Sequence, residues 1–230
     1  MIYKSIFIDL DNTLWDIHNN GKECLEEIYS DYGFDKYYPT FKSYYDIYMP
    51  SNNHLWGLYS RGEISKDVLI IERFLHPLRD FGIEDPVLAK KISDDFLERT
   101  TKKTLLVEGT LELLDYLKPK YRMFILSNGF SEVQHKKIEN SGLSKYFDDY
   151  FLSEDAEINK PNPGIFTYAL KNSNSKRDQT IMIGDSWEAD IAGAYNSRID
   201  QIWYNPAGCK SDGFEPTYSV NSLKEIKDIL

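Results

Sequence analysis

The stretch Ile6-Phe7-Ile8-Asp9-Leu10-Asp11-Asn12-Thr13-Leu14 is the part of this chain from which the fold is read. An apolar run that begins at Ile2-Tyr3 and resumes at Ile6 stops at two carboxylates one residue apart. Such a run reads as a buried parallel strand whose carboxyl end opens into a site. In open α/β sheets, ligands bind at those carboxyl ends. Asp9 and Asp11, at i and i+2, point to the same side of an extended chain. They repel each other unless a cation or a proton lies between them. An acidic turn after an ordinary strand would look the same over so short a stretch, so the decision rests on what surrounds it.

Directly after Leu14 the apolar spacing changes from strand to helix. Cys24, Leu25, Ile28, Tyr29 and Tyr32 recur at helical intervals, and Gly33 supplies a stop. Thr40 caps a second expected helix carrying Phe41, Tyr44, Tyr45 and Tyr48, which Pro50 ends. A short third holds Leu55, Trp56 and Tyr59. Ser65 opens a fourth, and Asp85-Pro86 a fifth. Residues 16–102 therefore read as an all-helical domain inserted after the first strand.

Beyond it strands and helices alternate. Arg122–Ser127, Tyr150–Ser153, Thr180–Gly184 and Gln201–Tyr204 read as strands. Thr110–Leu117, Ser131–Asn140, Pro163–Lys171 and a segment from Ser186 to about Asn196 read as helices. The capping box Ser222-Leu-Lys-Glu225 opens a last helix. The fold class is α/β: a doubly wound, Rossmann-like parallel sheet built from residues 1–15 and 103–230. Linkers near residues 14–17 and 102–109 would carry the helical insertion, as hinges.

With 230 residues, 41% of them hydrophobic, the chain has material for one large core plus a small second domain. The net charge of −10 argues against a nucleic-acid polymer or an anionic membrane as partner. Cys24 and Cys209 are too few for a disulfide framework or a zinc cluster. Met1 leads straight into the first strand without a signal peptide, and no apolar run approaches the ~20 residues of a membrane span. A cytoplasmic enzyme is expected.

Four strand ends carry polar groups: Asp9 and Asp11; Ser127, Asn128 and Gly129; Lys160-Pro161 after the third strand; and Gly184-Asp185-Ser186, with Asp190 one helical turn on. Singly, each passes for a turn residue, a cap or a solvated charge. As a set they suit phosphoryl transfer, which depends on positioning and on neutralising phosphoryl charge. Asp9 can act as a carboxylate nucleophile, and Asp11 can protonate a leaving oxygen and then take a proton from water. Asp9 and Asp185 offer hard oxygen ligands for Mg²⁺. Ser127 and the amides after it, that of Asn128 among them, can donate to phosphate oxygens, and Lys160 offsets negative charge.

Asp9-Leu10-Asp11-Asn12-Thr13, Ser127-Asn128-Gly129, Lys160-Pro161 and Gly184-Asp185-Ser186 with Asp190 resemble, in order and spacing, the four motifs of the haloacid dehalogenase (HAD) superfamily. The resemblance spans the whole chain, including a helical cap after the first motif. It implies an aspartyl-phosphate on Asp9 and Mg²⁺ held by Asp9, Asp185 and the main-chain carbonyl of Asp11. It further implies supporting roles for Thr13 in the first loop and for Asp190 near the metal waters or Lys160. Leu126-Ser127-Asn128-Gly129-Phe130-Ser131 with Gln134, Asn53-His54-Leu55-Trp56, and Pro216-Thr217-Tyr218-Ser219-Val220 further resemble the bacterial house-cleaning pyrimidine 5′-nucleotidases of that superfamily. The expected substrate is thus a small phosphorylated metabolite, a pyrimidine nucleoside 5′-monophosphate. Asn53 would address the base edge, and Trp56 or Trp15 would stack on it.

Other activities share much of this set. A phosphoglycolate or sugar-phosphate phosphatase, or a phosphosugar mutase, would use the same residues. A dehalogenase would use Asp9 but needs neither Asp11 nor Asp185. A signalling receiver domain needs no helical insertion, and a catalytically dead binding protein would be expected to lack one of the groups. The sequence leaves the oligomeric state open.

Overall fold

The computed structural model describes residues 3–230. The apolar start expected at Ile2 lies outside the described residues. The chain divides into two compact units, residues 1–16 with 104–230, and residues 17–103.

The first unit is a six-stranded sheet flanked by helices. Its strands are β1 (Ser5–Ile8), β2 (Arg122–Ser127), β3 (Asp149–Leu152), β4 (Thr180–Gly184), β5 (Asp200–Tyr204) and β6 (Tyr218–Val220). They run in the order β3-β2-β1-β4-β5-β6, and every pairing is parallel. The strand order reverses between β1 and β4, which places a ligand crevice outside their carboxyl ends. Register then sets which residues share that edge. Ile8 is level with Ile125 and with Ile183. Asp9, whose amide continues the ladder by donating to the Ile183 carbonyl at 2.9 Å, thus emerges beside the ends of β2 and β4.

Helices α5 (Thr110–Leu117), α6 (Ser131–Asn140), α7 (Ser153–Ala156), α8 (Pro163–Asn172) and α9 (Gly193–Asn196) belong to this unit, with a π-helical turn at Trp187–Ala192 just before α9. Phe7 on β1 meets Phe124 and Phe151 edge-on, at 5.9 and 6.1 Å between ring centres. These rings, with Ile165, Phe166 and Met182, fill the space under α8. The buried aromatic layer makes β1 a rigid base for Asp9.

The second unit holds α1 (Ile17–Asp31), α2 (Phe41–Ser60), α3 (Lys66–Arg79) and α4 (Pro86–Lys102). Thr40, Ser65 and Asp85 cap α2, α3 and α4 as their side chains predict. Pro50 does not end a helix: α2 runs through it to Ser60. A proline forfeits only its own donor, and Tyr44 and Tyr48, buried in the helical core, outweigh that local cost. Of the cap-region aromatics, Tyr29, Tyr32, Tyr37, Tyr38, Phe41, Tyr44, Tyr45 and Tyr48 belong to this core; Trp56 and Tyr59 lie outside it, edge-on to each other.

Tyr218–Val220 forms a further strand, too short and too close to Pro216 to show a period in the sequence. Two expectations in the sheet unit also change. The last helix is a 3₁₀ segment, Leu223–Asp228, whose cap Ser222 accepts from Lys224 rather than from Glu225. The helix after Ser186 begins with the wider π turn, which is common at functional sites.

Candidate active site

Lys160 organises the strand ends. It is buried, and its ammonium donates to Asp9 Oδ1 at 2.6 Å, to Asp190 Oδ1 at 2.6 Å and to the Leu126 carbonyl at 2.7 Å. All three of its protons are thereby engaged. Asn128 fixes the lysine backbone, because its amide accepts from Lys160 N and donates to Lys160 O, each at 2.8 Å. Asp190 reaches back from the π turn, and its Oδ2 accepts from the Ser186 amide at 3.0 Å. Gly184 makes room for it: a β-carbon there would lie 2.3 Å from that same oxygen. Thr13 donates to Asp185 Oδ1 at 3.1 Å, and the Trp203 indole donates to the Asp185 carbonyl at 2.9 Å. The first loop and the β4 end are locked together by these bonds.

A second cluster surrounds Asp11. Gln134 Nε2 donates to Asp11 Oδ2 and to Ser127 Oγ, each at 2.8 Å. Lys137 Nζ donates to Asp11 Oδ1 at 2.7 Å and lies 4.3 Å from the centre of the Trp15 ring. Ser127 Oγ also accepts from the Gly129 amide at 3.2 Å, so its own proton is left to donate. Gly129 is required by this packing, since a β-carbon there would lie 2.2 Å from Gln134 Nε2.

The site carries an excess of negative charge. Four carboxylates, Asp9, Asp11, Asp185 and Asp190, face two ammonium groups, Lys137 and Lys160. Carboxylate oxygens of Asp9, Asp185 and Asp190 lie within 4.8 Å of one another. Burial pushes Asp9 well above the ordinary carboxylate range; Lys160 opposes this, and Asp190 and Asp185 add to it. Burial, then Asp190, pushes Asp185 up to about 7. Burial works against the Lys160 charge, but Asp190 and Asp9 outweigh it and hold the lysine protonated. Crowded hard oxygens with an anionic excess are a donor set that fits Mg²⁺. Asp190 is already committed to Lys160 and Ser186, which leaves Asp9 and Asp185 as the side chains to hold the ion.

A pH dependence follows. A carboxyl whose folded pKa is raised favours the folded state below its unfolded value, and that contribution disappears as pH rises through the raised value. For Asp185 the window runs from 3.8 to about 7. With a chelator present, the urea midpoint is expected to fall as pH rises across that window, and added Mg²⁺ should flatten the slope. A chelator-treated protein whose midpoint rises between pH 4 and 7 would contradict this.

Each residue named from sequence now has a setting. Asp9, Thr13, Ser127, Asn128, Lys160, Asp185 and Asp190 converge at one edge of the sheet, with Asp11 held beside Ser127. The Asn128 side chain holds the Lys160 backbone. One expectation needs correction. Trp15 is fully buried under the Lys137 ammonium and offers no open face for stacking. Asn53 and Trp56 lie on α2 of the helical unit, Asn53 exposed and Trp56 partly so. Lys137 was missed by sequence reasoning. Its only signal is its place three residues after Gln134, on the same face of α6.

Acids, a hydroxyl and a lysine gathered at the strand ends of a parallel sheet make this the site of a hydrolase. The haloacid dehalogenase-like hydrolase family model matches residues 3–197, and the chain belongs to that family. It is similar to the pyrimidine 5′-nucleotidase PynA of Streptococcus pneumoniae, 32% identical over 100% of this chain and 96% of PynA. It is 30% identical to the pyrimidine 5′-nucleotidase YjjG of Escherichia coli, over 98% of this chain and 96% of YjjG. Among solved structures, the magnesium-bound HAD-hydrolase YfnB of Bacillus subtilis superposes with a TM-score of 0.90 at 26% identity, covering 100% of this chain and 99% of YfnB. Among the described residues, no helix is long and apolar enough to cross a membrane.

Proposed function

We propose that this hydrolase is a Mg²⁺-dependent phosphomonoesterase acting on pyrimidine nucleoside 5′-monophosphates. The observation that carries the phosphatase part is the excess of four carboxylates over two ammonium groups at the strand ends, beside a hydroxyl poised to donate. The nucleotide part is supported by similarity to PynA and YjjG along nearly the whole of each chain.

Lys160 holds Asp9 Oδ1, so Oδ2 is the atom that attacks phosphorus. The new Oδ2–P bond forms as the ester P–O bond breaks, and Asp11 gives a proton to the departing oxygen. Asp11 then takes a proton from the water that attacks the aspartyl-phosphate, and phosphate leaves with Asp9 restored. Ser127 and the amides that follow it bind the phosphoryl oxygens. Held by Asp9, Asp185 and the Asp11 carbonyl, Mg²⁺ would supply the positive charge that the carboxylate cluster lacks. A dehalogenase has no use for Asp11 as an acid or for Asp185.

The test is hydrolysis of pyrimidine nucleotides, AMP, phosphoglycolate and sugar phosphates, with Mg²⁺ and with a chelator. Activity is expected to require Mg²⁺, and kcat/KM for a pyrimidine nucleotide is expected to exceed the others by about tenfold, or ~1.4 kcal/mol of transition-state binding. If phosphoglycolate or a sugar phosphate wins by that margin, the nucleotide assignment falls and the phosphatase assignment stands.

A further inference from the structure

Lys137 and Gln134 sit three residues apart on α6, and each donates to one oxygen of the Asp11 carboxylate, leaving lone pairs for a proton. Both side chains are buried. Stability alone gives no account of this choice. Burying a lysine to pair with a partly exposed carboxylate seldom improves on apolar packing of the same volume. Moreover, Gln134 makes both of its bonds through Nε2 and leaves Oε1 buried with no partner. A half-satisfied buried amide is a cost usually retained where position matters. The same amide links Asp11 to Ser127, so the acid and the phosphate-binding hydroxyl are held in one frame. The Trp15 ring under Lys137 limits where the ammonium can move.

We propose that Lys137 and Gln134 are positioning residues that hold the Asp11 carboxylate at a fixed place relative to Ser127, so that its proton reaches the leaving oxygen of a phosphate bound there. The inference rests on the phosphatase reading above. Lys137 acts through Asp11, and Gln134 through Asp11 and Ser127.

General acid catalysis matters only when the leaving group needs a proton. A nucleoside 5′-monophosphate expels an alkoxide and needs one; p-nitrophenyl phosphate expels a stable phenolate and does not. The parameter to compare is kcat/KM, because it covers the steps up to departure of the leaving group and excludes the later hydrolysis in which Asp11 acts as a base. Lys137→Met and Gln134→Met keep the apolar bulk of the side chains and remove the donors. In Lys137→Met, kcat/KM for the nucleotide is expected to fall about 10²-fold, and that for p-nitrophenyl phosphate by less than about fivefold; Gln134→Met also releases Ser127, so both esters should lose there, the nucleotide by about tenfold more. In Lys137→Met, nucleotide KM should stay within about twofold, since Lys137 bonds Asp11 and not the phosphate-binding Ser127.

Equal losses on the two esters, or no loss on either, would overturn the positioning role and leave the phosphatase reading intact. If Lys137→Met does not fold, Gln134→Met decides by the same comparison. Failure of both to fold would assign the pair to the architecture of α6 and also overturn the inference. A wild-type protein that hydrolyses neither ester would remove the phosphatase reading, and this inference with it.

Discussion

Asp9→Asn is expected to lower kcat by about 10⁴-fold or more while leaving the protein at least as stable as the wild type. The kinetic part follows from chemistry: an amide cannot replace a carboxylate as the nucleophile, and losses of that order accompany removal of a nucleophile elsewhere. The stability part follows from where the carboxylate sits. Asp9 is buried, and burial is the largest influence raising its pKa; only Lys160 favours its charge, while Asp190 and Asp185 oppose it. Asparagine keeps the shape and an oxygen for the Lys160 ammonium and removes the like-charge repulsion. Lys160 keeps Asp190 as its ionic partner at 2.6 Å. Residues placed for catalysis commonly sit in such electrostatically unfavourable surroundings. Urea unfolding with a chelator, alongside steady-state rates with Mg²⁺, separates the two effects. A folded Asp9→Asn protein with near-normal kcat would exclude Asp9 as nucleophile. One destabilised by several kcal/mol would show that the charge is structural.

How much of this is visible in the sequence depends on how local each interaction is. The Asp9–Asp11 stretch, the Asp85-Pro86 cap and the switch from helical to alternating pattern near Leu105 are local signals, and the strands and helices they predict form at nearly the predicted bounds. Pro50 shows the limit of local rules, because tertiary burial of its neighbours carries α2 past it. The Asn128 side chain shows another limit: nothing near it in the sequence names its partner, the backbone of Lys160, 32 residues away. Trp15 likewise looks available beside the first loop until Lys137 comes in over its ring from 122 residues later in the chain. Lys137 escapes notice because a lysine in an amphipathic helix is ordinarily solvated, and nothing within α6 says that its ammonium faces a carboxylate from β1's loop. Strand-end chemistry is legible because the fold class fixes where strand ends go; partners supplied by another segment are not.

Lys160→Met is expected to be damaging in both respects, unlike Asp9→Asn. The buried ammonium joins two carboxylates, Asp9 and Asp190, to a main-chain carbonyl, and it is held protonated by the acids around it. Because its folded pKa is raised, the stability it contributes persists until the pH rises through that value, above the neutral range, so the lysine itself does not titrate between pH 5 and 8. Removing it leaves buried anions without their cation, a change that costs about 3–5 kcal/mol in comparable sites. The deficit should grow with pH. At low pH the carboxyls can take up protons and relieve the repulsion; as pH rises they lose that recourse, and without Lys160, which lowers it, the Asp185 carboxyl does so at a pH above its wild-type value of about 7. Saturating Mg²⁺ should restore more stability to the variant than to the wild type, because it supplies positive charge to the same oxygens. The activity loss should be about 10³-fold even with Mg²⁺ present, since preorganised donors at developing charge are worth roughly 10²–10³ each and this one also orients the nucleophile. Chemical unfolding at pH 5 and pH 8, with chelator and with Mg²⁺, gives four midpoints for each protein. A variant whose four midpoints match the wild type would show that Lys160 does not neutralise the cluster, and the charge balance on which the assigned site rests would have to be redrawn.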